Sequence, residues 1–277
     1  MAIFGIPEAV HFCAGYQSRP GMSASSFRQQ YYAIGSGRTY SEGTVAFDDL
    51  RACAVREVER LFFLGISNYR RSFDLLTPAA SSWAQVTMYY AAYYCAASLL
   101  GMFGAWKLRG TRILDVSNGT SGSQKLTTRN FSSSYSGSHQ MFWDFFYANV
   151  GSLASWVDPS LRFALAPFSG TVTWLIDNRN DVNYDSHSAC GLIANFQSSF
   201  RPSRFPTSLP GTLNTQFRLT EALVAIASKF ARQFRIDTDA LSAVSPTGER
   251  RLKVRSIVLG CSAPNIHRSI KRRMLLI

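Results

Sequence analysis

Between Trp174 and Asn195 the chain reads WLIDNRNDVNYDSHSACGLIAN. Arg179, Asn180, Asn183, Tyr184 and His187 fall within nine residues there, behind an apolar run. An arginine presents a planar fork of donors that matches a phosphate. A histidine titrates near neutrality and can take or give a proton. A tyrosine, with an ordinary pKa of about 10, is a poor base at neutral pH but can donate a hydrogen bond or stack on a base. If the segment stays helical, Asn180, Asn183, Tyr184 and His187 share one face, with Arg179 near its border. Three uses are open for such a patch. Its groups could satisfy one another at a buried helix crossing, hold RNA without cutting it, or cut it.

Other constellations are weaker. His139 near Arg129 could form a second acid–base pair, although it more simply reads as a helix-start histidine. Asp177, Asp181 and Asp185 repeat every four residues. They suggest a metal ladder, but no second acidic cluster accompanies them, and solvated ion-pair partners are the simpler reading. Gly101-Met-Phe-Gly104 is no phosphate loop, and neither G-x-S-x-G nor H-E-x-x-H occurs. The four histidines are scattered without zinc spacing. No metal or cofactor is expected.

The elements that would carry the patch are mainly helical. Residues 47 to 73 recur at helical spacing through Leu50, Ala54, Val58, Leu61 and Leu64, with Arg51, Arg56, Glu57, Glu59 and Arg60 mostly off that stripe. Asp48 or Asp49 can cap the start, and Pro78 breaks the pattern. Residues 81 to 103, SSWAQVTMYYAAYYCAASLLGMF, are apolar or aromatic on every face, which predicts a buried central helix. Four tyrosines in the middle of that run argue against a membrane span. Residues 106 to 117 suit a short strand, and the Ser/Thr/Gly/Asn-rich stretch 117–138 reads as a loop. A third, aromatic helix is expected over 139–156. The prolines of 201–213 mark a turn before a strong helix over 215–235. This divides the chain into an N-terminal extension (1–46), a helical bundle (47–200), and a C-terminal helix with a basic tail (201–277).

Charge points the same way as the arginine. The 277 residues hold 29 Lys and Arg against 17 Asp and Glu, a net charge of +12, which favours a polyanionic partner. The tail concentrates Arg250, Arg251, Lys253, Arg255, Arg268, Lys271, Arg272 and Arg273 against Glu249. Five widely spaced cysteines with no C-x-x-C fit a reducing, cytoplasmic setting, with Cys53, Cys95 and Cys190 acting as small apolar residues. The first residues, MAIFGIPEAVHF, lack the pattern of a secretory leader.

Taken together, YYAAYYCAASLLG in the second helix and RNDVNYD in the later one resemble the HEPN superfamily of α-helical bundles. The resemblance covers residues 47 to 103 and about 171 to 198. It implies a mainly α, antiparallel helical bundle, here with irregular or short-strand extensions at both ends. Many members of that family are metal-independent ribonucleases, often dimeric, some of them toxins or antiviral-defence effectors. The family's arginine holds the scissile phosphate while a histidine moves the proton of the ribose 2′-hydroxyl. Arg179 matches that arginine and Asn180 the polar residue after it. The histidine position falls on Tyr184, as in other branches of the family, and His187 is the substitute within reach on the sequence.

The expected function is therefore engagement of RNA or another nucleic acid, with metal-independent cleavage as the candidate reaction. Arg179, Tyr184 and His187 are the candidate catalytic residues. Asn180, Asn183, Arg250, Arg251, Lys253, Arg255, Lys271, Arg272 and Arg273 are the candidate nucleic-acid contacts. The competing expectation is a non-catalytic subunit of a larger assembly, or a protein that coats nucleic acid, using aromatic helices as interfaces.

Overall fold

The computed structural model describes residues 3–14, 35–108, 110–118, 123–154, 165, 170–205, 208–234 and 236. The basic tail from Arg250 to Arg273 lies outside them. The chain is mainly α-helical, as expected. In chain order the elements are α1 (Ile6–Ala14), β1 (Thr39–Ser41), α2 (Val45–Asp74), α3 (Ser81–Met102), β2 (Trp106–Lys107), β3 (Arg112–Asn118), β4 (Gln124–Asn130), α4 (Ser138–Ala154), α5 (Trp174–Tyr184), α6 (Ser186–Ser199) and α7 (Gly211–Gln233).

Helix α2 begins at a threonine cap: Thr44 Oγ1 accepts the Phe47 amide at 3.2 Å. Asp48 sits in the first turn rather than at the cap, where its charge still suits the positive helix end. After Leu75 a short connection with Pro78 turns the chain back into α3. Contacts between α2 and α3 pair rising with falling numbers: Ser98 Oγ donates to the Val58 carbonyl at 3.0 Å, and Gly65 meets Cys95. The two helices are antiparallel. Helix α7 lies on another face of α3 and runs parallel to it. Gln216 Nε2 donates to the Gln85 carbonyl at 2.7 Å, and Phe103 packs edge-on against Phe230 with ring centroids 4.9 Å apart.

As its composition predicts, α3 is buried along most of its length. Helices α2, α4, α5, α6 and α7 all touch it. Among the described residues no helix is long and apolar enough to cross a membrane. The burial of α2 extends beyond its apolar stripe. Arg51, Glu57 and Glu59 are buried too, because α2 has neighbours on more than one side. Each charge has a partner. Arg51 donates to the carbonyls of Phe12 at 2.7 Å and His11 at 2.5 Å, Arg60 bonds Glu57, and Arg56 bonds Glu59 at 3.3 Å.

Phe12 of α1 is buried against Phe4, Phe47 and Trp106, so α1 packs into the main core. One expectation changes. The polar stretch 117–138 is not simply a loop. It contains β4, which pairs antiparallel with β3 and with β1 in a four-stranded sheet of order β1-β4-β3-β2. Arg129 bonds Asp115 across that pairing at 2.9 Å, so it is not a partner of His139.

Candidate functional site

The tyrosines of α3 are the floor of the site. Tyr89 is fully buried, while Tyr90, Tyr93 and Tyr94 are partly open. Helix spacing brings the rings of Tyr90 and Tyr94 into a stack 6.1 Å apart and those of Tyr89 and Tyr93 into one 6.3 Å apart. Helix α5 crosses beside them, anchored where Gln85 Nε2 donates to the Asn178 carbonyl at 3.3 Å.

This crossing delivers Arg179 onto the tyrosines. Its Nη2 donates to the Tyr90 hydroxyl at 2.8 Å and its Nη1 to Asn180 Oδ1 at 2.6 Å. The guanidinium carbon lies 5.6 Å from the Tyr90 ring centre and 5.8 Å from those of Tyr89 and Tyr184. Each such contact contributes roughly 0.5–2 kcal/mol depending on its burial. Among the described residues, the buried Nε of Arg179 has no hydrogen-bond partner. Among the described residues no carboxylate forms an ion pair with Arg179. Tyr184, 75% exposed, covers one side of the guanidinium with its ring.

The predicted patch is split. Helix α5 ends at Tyr184, and Asp185 turns to extended backbone. Its carboxylate accepts the amides of His187 and Ser188, each at 3.1 Å, and so caps α6. Asp185 is thus a helix cap rather than an ion-pair partner, and Asp177 instead accepts the Thr173 hydroxyl at 2.7 Å. His187 stands exposed on the first turn of α6, and the single helical face expected through Asn180, Asn183, Tyr184 and His187 does not form. Asn183 is exposed as well. Cys190, expected as a small core residue, is exposed on α6, whereas Cys53 and Cys95 are buried.

Hydrogen bonds to Ser188 and to the two amides hold the Asp185 carboxyl below its ordinary range. A depressed folded-state pKa stabilises α6 above the unfolded pKa, and that gain is lost as pH falls through the folded value. Acidification should therefore fray α6 before the core melts, followed by amide exchange at His187 and Ser188. Asp185→Asn, which keeps an acceptor without a titrating proton, should abolish that pH dependence.

A different histidine joins the arginine. His139, at the start of α4, places Nδ1 2.7 Å from the Tyr89 hydroxyl, and its ring lies 4.6 Å from that of Tyr93. Trp143 Nε1 donates to the same hydroxyl at 3.4 Å. Burial pushes the His139 pKa down, and the charges of Arg179 and Lys107 push it further the same way. Both effects favour the neutral imidazole. Its position at a helix start agrees with the sequence, but its partners were not visible there. A clue was available: buried tyrosine hydroxyls require partners, and α3 carries four tyrosines with no charged residue of its own.

His139 also lines a cavity of about 410 Å³ with Glu57, Arg60, Tyr90, Tyr93, Tyr94 and Lys107. Burial lowers the Lys107 pKa, and its ammonium donates to the carbonyls of Leu108 at 3.2 Å and Gly110 at 2.6 Å. Among the described residues no cluster of His, Cys, Asp and Glu could hold a metal ion. No protein-family model, curated protein or solved structure matches this chain.

Proposed function

We propose that this chain engages single-stranded RNA and cleaves it without a metal ion, as a HEPN-like protein with Arg179 at the phosphate. The observation that carries this reading is the state of Arg179. Its charge is half-buried among tyrosine rings, held by neutral partners, and has no carboxylate ion pair among the described residues. A cation fixed in this way is prepared for an anion that arrives from solution. The net charge of +12 supplies long-range attraction for a polyanion. The exposed Tyr184 ring beside the guanidinium offers a surface on which a base can stack.

The test uses the full chain with end-labelled single-stranded RNA in EDTA. Wild-type protein should shorten the RNA, and Arg179→Ala should slow this by about 10²–10³-fold, the usual loss when one preorganised donor to a developing charge is removed. Retention of RNA should fall steeply with salt, because phosphate contacts release counterions. Uncut RNA with wild-type protein, or equal cutting by the variant, would remove this reading. The exposure of Trp83 (60%) and Tyr184 (75%) favours a second reading, in which α3 and α5 dock another protein chain. A dimer by sedimentation that Trp83→Ser dissolves would support it.

A further inference from the structure

We propose that His139 is the proton-transferring residue of this site, and that the cavity it lines receives one nucleotide of the RNA. This rests on the RNA-cleavage reading of Arg179. The sequence motif directs attention to a histidine on the arginine's own segment, but the fold brings in one from α4 instead. Arg179 bonds Tyr90, Tyr90 forms part of the cavity wall, and His139 belongs to the same wall. Lys107 lines the same cavity as His139, so an anion drawn to that ammonium enters the space that the imidazole borders.

The cavity has the chemistry for a nucleotide unit. The rings of Tyr93 and Tyr94 form part of its lining, against which a base can pack. Lys107 offers a positive charge for a phosphate and, among the described residues, forms no ion pair with a carboxylate. Arg60 is already matched by Glu57, so that pair adds polarity but no net charge. The volume of about 410 Å³ falls within the usual range for a small-ligand site.

Nδ1 of His139 is engaged by the Tyr89 hydroxyl, which leaves Nε2 as the remaining ring nitrogen. In the tautomer that donates from Nδ1 to Tyr89, Nε2 carries a lone pair. It takes the proton of a ribose 2′-hydroxyl. The 2′-oxygen forms a bond to phosphorus, and the bond from phosphorus to the 5′-oxygen breaks. The leaving 5′-oxygen keeps the electron pair and is protonated by solvent water, and the hydroxide so formed takes the proton back from His139. The products are a 2′,3′-cyclic phosphate and a 5′-hydroxyl. Tyr89, Tyr90 and Tyr93 from α3 make ring contacts with His139, Lys107 from β2 and Glu57 and Arg60 from α2 line the cavity with it, and the charge of Arg179 from α5 acts on it.

Two measurements on the full chain test this. In EDTA, His139→Gln should lower cleavage at least about 100-fold and change RNA retention at low salt less than about threefold. In the second, a 2′-deoxy oligonucleotide that cannot be cut is titrated into wild-type protein, and the His139 imidazole and Tyr93 ring resonances should shift. Unchanged cleavage by His139→Gln would overturn the proposal while sparing the RNA reading. So would binding of the oligonucleotide with the His139 signal unmoved, a result that does not depend on how any variant folds. A wild-type chain that neither binds nor cuts RNA removes both.

Discussion

Exchanging Arg179 for lysine is expected to lower RNA cleavage about 10- to 100-fold while leaving retention of RNA at low salt nearly intact. The substitution keeps the charge, so the long-range attraction set by the net charge of +12 is almost unchanged. The planar fork is what disappears. Arg179 uses one arm on the Tyr90 hydroxyl at 2.8 Å and another on Asn180 at 2.6 Å. Those bonds fix the plane of the guanidinium against three tyrosine rings. An ammonium on a flexible stem cannot reproduce both bonds and the stacked plane. A hydrogen bond involving a charged group is worth about 1.5–3 kcal/mol, which sets the expected range of rate loss. Single-turnover rates with saturating protein, beside filter retention across a salt series, separate the two effects. Equal loss of both would mean that Arg179 acts only as a charge. Loss of neither would mean that it is a packing residue.

The same geometry explains which parts of the site the sequence could reveal. Arg179, Asn180 and Tyr184 are close in the chain and stay close in space, since α5 carries all three and the ring of Tyr184 folds back over the guanidinium. His187 is three residues past Tyr184, but the extended Asp185 breaks the helical phase that would have aligned them. Asp185 is a good helix cap by type. That signal was present in D-S-H-S, where it competed with the longer helical pattern. His139 was legible only as a helix-start histidine, and its partners were not. It is forty residues from Arg179, and only the packing of α4 and α5 on α3 brings the two to the same tyrosines.

The fold shows a similar division. Helices α2, α3, α4 and α7 announce themselves through apolar spacing or continuous apolar composition, and their ends lie within a few residues of expectation. Strand β4 was hidden because its inward face is largely polar. Gln124 and Thr128 are buried along with Leu126, so the period-two alternation is real but does not appear as apolar against polar. Their hydrogen bonds make this burial tolerable: Gln124 Nε2 reaches the Glu8 carbonyl at 2.7 Å and Thr128 Oγ1 the Gly35 carbonyl at 2.7 Å. Such partners come from distant segments, which no local pattern encodes.

Gly65 is where the bundle should be most sensitive to a small addition. A Cβ at this position would lie 2.5 Å from Cys95 Sγ, 3.1 Å from the Cys95 backbone nitrogen and 3.4 Å from the Ala91 carbonyl oxygen. The sulfur can rotate away, but the backbone atoms of α3 cannot. An alanine here gains about 1 kcal/mol in helix propensity. Against this stands the cost of overpacking a close crossing, about 1–3 kcal/mol. Gly65→Ala is therefore expected to destabilise the chain modestly. Gly65→Val adds two methyl groups that must part α2 from α3, and should cost more than about 3 kcal/mol. Because α3 carries Tyr89, Tyr90 and Tyr93, a shift at this crossing also moves the floor beneath Arg179 and His139. Urea denaturation followed by circular dichroism measures both effects. A double-mutant cycle with Cys95→Ala locates their cause, since removing the sulfur should recover about 1 kcal/mol of the alanine penalty if the clash is the reason. Full additivity of the two substitutions would assign the penalty to the α3 backbone, whereas a Gly65→Val protein as stable as wild type would show that the helices do not meet at Gly65.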